Sequence, residues 1–227
     1  MSFQNILEDL AQYLEYEIDE GTAPVEFSRD VEQELGKIEK VIAGCMKCSL
    51  HETRTRTVPG QGSSRPEIMF IGEAPGFDED QQGLAFVGRA GQLLTKMIQA
   101  MGYTREKVFI GNILKCRPPG NRAPMPDEMT ACLPYLKAQI ALLKPKVIIA
   151  LGATAVKGLL NTSTGITRLR GTWLSFEGVD VMPTYHPAYL LRNTSAKKEV
   201  WEDLKTVLNH LGRTPPPREK KRQTASE

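Results

Sequence analysis

The stretch Ile71-Gly72-Glu73-Ala74-Pro75-Gly76-Phe77-Asp78-Glu79-Asp80-Gln81-Gln82-Gly83-Leu84-Ala85-Phe86-Val87-Gly88-Arg89-Ala90-Gly91-Gln92-Leu93-Leu94 decides how this chain folds. An apolar, β-type run from Ile68 to Ile71 feeds a Gly/Pro loop, then a cluster of acids, then a second Gly-rich loop ahead of a helix-like segment. A strand-loop-helix passage of this kind sets active sites at the carboxyl ends of parallel strands. Its glycines let backbone approach something flat or small. Glu73 and Glu79 place carboxylates there, and Phe86 offers an aromatic face.

Working outward, strand and helix patterns alternate. Glu67 to Ile71, Lys107 to Ile113 and Lys146 to Leu151 read as strands, and Ala90 to Met101, Asp127 to Leu143, Ala153 to Leu160 and Ala196 to Leu211 as helices. Trp173 to Phe176 and Val179 to Pro183 pair across Glu177-Gly178. This order predicts an α/β fold with a mostly parallel sheet covered on both faces. Val31 to Ala43 is a further helix, ending at Gly44 just before the first cysteine. Phe3 to Ile18 carries a helical apolar stripe, broken by Gly21 and Pro24. From Arg213 onward the apolar side chains needed for packing run out, which predicts disorder. The expected organisation is an acidic helical extension over residues 1–40, a body over 41–212 and a disordered basic tail over 213–227.

At 227 residues and 41% hydrophobic content the chain can bury one substantial core. It has no apolar run long enough to span a bilayer, and Met1 to Leu10 carries acids rather than a basic leader, so the expectation is a cytoplasmic protein without a membrane partner. The net charge of +2 conceals an asymmetry: residues 1–39 hold 11 acids against two bases, and the remainder holds 27 bases against 16 acids. A basic body suits the neutralisation of DNA phosphates, but a scattered, solvated surface explains it as well. Nucleotide hydrolysis is disfavoured, because no G-x-x-x-x-G-K-[ST] loop occurs and Gly72 to Gly76 is not G-x-G-x-x-G.

The four cysteines account for one tetrathiolate site. Cys45 and Cys48 form a C-x2-C pair, with Cys116 and Cys132 more distant. Structural disulfides are disfavoured in the cytosol, so metal is the better reading. The spacing alone is compatible with Zn2+ or a [4Fe–4S] cluster.

The segment Gly72 to Leu94 resembles the first signature of the iron–sulfur uracil-DNA glycosylases, family 4 of that superfamily, of the form GE(A/G)PG…ED…G.PFVG.AG.LL. One departure is Ala85, where the family typically has proline; the change loosens the expected hold on Phe86 without removing a chemical group. Asn112-Ile113-Leu114-Lys115-Cys116-Arg117-Pro118-Pro119 resembles the family's N-x-x-K-C-R-P-P block. His186-Pro187-Ala188-Tyr189-Leu190-Leu191-Arg192 resembles its second signature, H-P-(A/S)-x-L-L-R. The blocks lie in family order, and the likeness covers roughly Cys45 to Leu211.

The resemblance implies a three-layer α/β/α sandwich around a four-stranded, mostly parallel sheet. It implies a monofunctional glycosylase that flips deoxyuridine out of single- or double-stranded DNA, hydrolyses its N-glycosidic bond and releases free uracil, acting as a monomer. It tips the cysteine site toward a [4Fe–4S] cluster on Cys45, Cys48, Cys116 and Cys132. In the pocket, Phe86 is expected to stack on uracil and Asn112 to pair with O4 and N3–H. His186, with a loop N–H of Glu73 or Ala74, is expected to face the charge that builds on O2. Glu73 is the first choice for directing water and Glu79 the second, with a wall against thymine's methyl or a loop cap as other roles for Glu79. Leu190 and Leu191 are both wedge candidates, and Arg192 can grip phosphate. Two rival readings are a non-catalytic iron–sulfur DNA-binding protein and a broader-specificity glycosylase of a sister family. The acidic arm is expected to fold over the basic face and weaken non-specific binding.

Overall fold

The computed structural model describes residues 30–217. Residues 31 onward form a compact unit that is distinct from the preceding segment. The expected helix over Phe3–Ile18, the role of the acidic arm and the disorder of the last ten residues lie outside the described part.

A helix, α1 (Val31–Ala43), leads to the two-residue strand β1 (Gln61–Gly62) and the strand β2 (Ile68–Gly72). Two helices follow, α2 (Phe77–Gln82) and α3 (Arg89–Ala100), then strand β3 (Phe109–Asn112) and the long helix α4 (Pro126–Leu143). Next come β4 (Val147–Leu151), α5 (Ala153–Leu160) and α6 (Ile166–Leu169). The hairpin strands β5 (Leu174–Phe176) and β6 (Val179–Thr184) precede α7 (Pro187–Arg192) and α8 (Lys197–His210).

The sheet order is β1-β3-β2-β4-β6-β5. Its four central strands are parallel, as expected, and an antiparallel strand closes each edge. β2 and β4 are buried along their whole length, which explains why both read as continuous apolar runs. Alternation sends their side chains to two cores. Met69, Ile71, Ile148 and Ala150 join Leu35 and Ile42 of α1, Leu136 and Ile140 of α4 and Val156 of α5. Ile68, Phe70, Ile149 and Leu151 join Leu94 and Ile98 of α3 and Leu204 and Val207 of α8. The result is a sheet between two helical layers.

Leu35 and Ile42 of α1 sit in the core, within the compact unit that starts at Val31. Near the other end Arg213 pairs with Glu67 and lies over the Tyr103 ring. The third strand starts later than expected because Arg105–Lys107 forms a 3-10 turn. The end of β6 is fixed from α8, where buried Asp203 accepts from Thr184 Oγ1 at 2.6 Å and pairs with Arg170 at 2.6 Å. That network sits two residues before His186.

Candidate active site

Parallel register sets Gly72 beside Asn112 at the carboxyl ends of β2 and β3. The pairing continues beyond the strands, with Ile113 N–H donating to Gly72 O and Leu114 N–H to Glu73 O, both at 3.0 Å. His186 follows the end of β6. These three segments open onto a cavity of about 240 Å³ lined by Glu73, Ala74, Glu79, Phe86, Asn112 and His186. Sequence reasoning had singled out all six.

Asn112 is 1% exposed. Among the described residues, its Oδ1 is the one buried side-chain nitrogen or oxygen without a hydrogen-bond partner. Leaving a buried acceptor unpaired costs roughly 1–3 kcal/mol, so this atom's acceptor capacity is unused within the protein. The room beside it depends on Gly72, where an added Cβ would lie 2.5 Å from both Asn112 Oδ1 and Phe86 Cζ.

Phe86 holds its ring in place through unusual backbone, with φ at +53° in the left-handed region. Its carbonyl rests on Gly91, where a Cβ would come within 1.9 Å of it. Ala85, standing where proline was expected, is held rather than loosened. Its N–H donates to Gln61 Oε1 at 3.2 Å, a bond proline cannot make, and its carbonyl accepts from Arg105 at 2.6 Å.

His186 caps α7. Its Nδ1 accepts from Ala188 N–H at 3.1 Å. Burial, helped by the charge of Arg192 and opposed by Glu79, holds its pKa down to about 4. The ring is therefore neutral near pH 7 and carries its proton on Nε2, the nitrogen left to donate. Its centroid is 5.7 Å from that of Phe86.

The two carboxylates are not equivalent. Glu79 accepts from Gly76 N–H at 3.0 Å, Val87 N–H at 2.8 Å and Gly88 N–H at 2.9 Å, tying one glycine loop to the other. Glu73, half-buried, makes no side-chain hydrogen bond or ion pair with any described residue and faces the cavity. Nor are the two leucines. Leu190 is 1% exposed and packs in the core, whereas Leu191 is 39% exposed beside exposed Arg192.

A family model described as the uracil DNA glycosylase superfamily matches residues 59–205. A type-4 uracil-DNA glycosylase of Sulfurisphaera tokodaii is 46% identical over 76% of this chain and 83% of its own length. Type-4 enzymes of Thermotoga maritima (46% identity, 74% of this chain, 89% of theirs) and Archaeoglobus fulgidus (42%, 81% and 96%) match similarly. The chain belongs to the type-4 branch of the uracil-DNA glycosylase superfamily.

Against that family frame, the cavity has lining residues that sequence reading missed: Pro118, Asn121 and Arg122. Arg122 is anchored by a two-pronged bond to buried Glu128, at 2.9 and 2.6 Å. The signal was the Pro-Pro-Gly-Asn turn composition directly after Arg117. The four cysteines line a second, small cavity together with Arg54 and Tyr135. Three of the sulfurs accept N–H groups: Cys45 from Lys47 at 3.5 Å, Cys116 from Arg54 at 3.3 Å and Cys132 from Lys115 at 3.2 Å. Arg54 also donates to the carbonyls of Ala43 and Cys45, bracing the cysteine loop. Among the described residues no helix is long and apolar enough to cross a membrane.

Two outcomes follow from this geometry. Gly72→Ala is expected to lose about 1–3 kcal/mol in urea unfolding, because the new methyl must displace the amide of Asn112 or the ring of Phe86; an unchanged midpoint would show that both have room to retreat. For His186, the folded pKa of about 4 lies below the ordinary 6.5, so the unfolded chain takes up the proton first and stability falls as pH drops through that interval. Between pH 7 and 5 the wild type should lose about 1–2 kcal/mol more than His186→Gln, and NMR of the His186 ring should show no titration above pH 5.

Proposed function

We propose that this protein draws a deoxyuridine from DNA, hydrolyses its N-glycosidic bond and leaves an abasic site, the entry step of base excision repair. The observation that carries the reading is Asn112, a lining residue of the cavity whose buried Oδ1 has no hydrogen-bond partner among the described residues. Uracil brings a donor, N3–H, to such an acceptor, whereas cytosine brings an acceptor at the same place and leaves two buried lone pairs opposed. The 1–3 kcal/mol of an unsatisfied group then becomes discrimination. Phe86 supplies the stacking face. Glu79, held by three N–H bonds, is a rigid wall beside Gly76 that limits room for thymine's methyl.

Bond cleavage leaves negative charge on the base and positive charge on the sugar. A neutral His186 with its proton on Nε2 donates to O2 without first having to lose or gain a proton, and donors fixed in advance are the most effective. Glu73, with no partner among the described residues, is the carboxylate available to position water and face the sugar cation. Glu79 acts as a positioning residue. Leu191 is the wedge, since Leu190 is committed to the core, and Arg192 grips a phosphate. The free carboxylate of Glu73 beside the Asn112–His186 pair favours this reading over a binding module without catalysis.

The cysteine set fits a [4Fe–4S] cluster. Four thiol side chains line one cavity and three of them accept N–H groups, the usual company of a cluster's sulfurs. When bound, the cluster supplies cross-linking of α1, the Cys116 loop and α4, not chemistry on uracil.

An oligonucleotide with a single uracil should be cut by alkali after incubation with the protein, and its thymine counterpart should stay intact. His186→Ala is expected to lower kcat by 10²-fold or more, the usual loss for one such donor, and Asn112→Ala to lose uracil selectivity. Folded wild type that binds DNA but leaves uracil in place would overturn the assignment. Separately, protein isolated without oxygen should be brown, with iron and sulfide in equal amounts, and Cys132→Ser should lose both colour and thermal stability; colourless, zinc-loaded wild type would contradict the cluster.

A further inference from the structure

We propose that Phe77 and Arg117 form a stacking platform for the nucleobase next to the flipped uridine. The proposal rests on reading the cavity as a uracil pocket. Phe77 opens α2 directly after Gly76, which lines the cavity. It belongs to neither core and is 56% exposed, the one apolar residue of a helix otherwise made of Asp78, Glu79, Asp80, Gln81 and Gln82.

One side of its ring is occupied. The Arg117 guanidinium carbon lies 5.1 Å from the ring centroid. Arg117 is fixed there, because its Nε donates to Asn121 Oδ1 at 2.7 Å. Asn121 and Pro118 both line the cavity, as does Gly76 beside Phe77, so the pair stands at its edge. An exposed phenyl ring backed by an immobilised guanidinium is the kind of surface on which an unstacked base settles, and it accepts any base because every base has a π face. The acids of α2 do not stand in the way: Glu79 and Asp80 are engaged with backbone N–H groups, and Asp78 lies against Gly88.

The surface commits to DNA on grounds of position and charge. A strand that delivers uracil to Asn112 must pass the edge of the cavity, and Arg117 adds a cation where its phosphates run. In a duplex the neighbouring base is retained by its own partner and stack. In a single strand it is free to move onto Phe77. The platform therefore favours uracil in single strands.

The test is uracil excision kinetics for wild type, Phe77→Ala, Phe77→Leu and Phe77→Trp on single-stranded and duplex oligonucleotides, each with a normal base or an abasic residue on the 5′ or the 3′ side of the uracil. Phe77→Ala and Phe77→Leu are expected to raise KM about tenfold on single strands, with kcat changed less than twofold and a smaller effect on duplex; Phe77→Trp should hold KM near wild type. An abasic neighbour on one side should bring wild type to the level of the variants and make them equal. Unchanged KM in both Phe77→Ala and Phe77→Leu overturns the platform. So does a fall in kcat and melting temperature in Phe77→Ala that Phe77→Leu restores, which would make Phe77 a packing residue for the Arg117 loop. Wild type that excises no uracil at all would instead sink the reading of the cavity, so the two failures are separable.

Discussion

The parallel pairing of β2 with β3 runs past the strands themselves, through Ile113 to Gly72 and Leu114 to Glu73. That extension fixes Glu73 in the same frame as Asn112 and carries the chain on to Lys115 and Cys116. Lys115 then spans two sites. Its backbone N–H donates to Cys132 Sγ at 3.2 Å, while its buried ammonium donates to the Asn112 carbonyl at 3.0 Å and Gln139 Oε1 at 2.8 Å. A buried ammonium is tolerated only when its donors are met, so the cysteine site and the cavity beside Asn112 share one hydrogen-bonded support.

Around that frame, carboxylates divide the labour according to how many N–H groups reach them. Glu79 gathers three and becomes architecture, linking the Gly76 turn to the start of α3. Asp80 does the same for the chain below the cysteine loop, accepting from Thr55 N–H at 2.9 Å. Glu73 receives none from the described residues and faces the cavity. Catalysis in such a site depends on groups held in advance, with little reorganisation left for the reaction. The neutral, capped His186 and the Gly91-seated Phe86 meet the same requirement by different means.

Much of this was legible in the sequence, and the exceptions have physical causes. β2 and β4 announce themselves because both of their faces are buried, leaving unbroken apolar runs. α1 and α5 end at Gly44 and Asn161, residues that stop helices. β1 escaped notice because Gln61 and Gly62 carry no apolar pattern; the strand exists through pairing with Phe109 and Ile110. α2 and α7 are six residues each, too short to show a helical period. Leu190 and Leu191 have the same side chain, and only docking of α7 on the core separates them. Likewise no pattern distinguishes an acid that caps a loop from one that faces a cavity, so Glu73 and Glu79 needed coordinates. Arg122 and Asn121 reach the cavity across a turn whose path the sequence does not specify.

The central claim concerns one atom, Asn112 Oδ1, and its partner. The most direct measurement is a crystal structure of the protein soaked with uracil. The account predicts the base in the cavity against Phe86, with N3–H donating to Asn112 Oδ1 and O2 within hydrogen-bond distance of His186 Nε2. Uracil bound elsewhere, or bound in the cavity with Asn112 Oδ1 still lacking a donor, would contradict it.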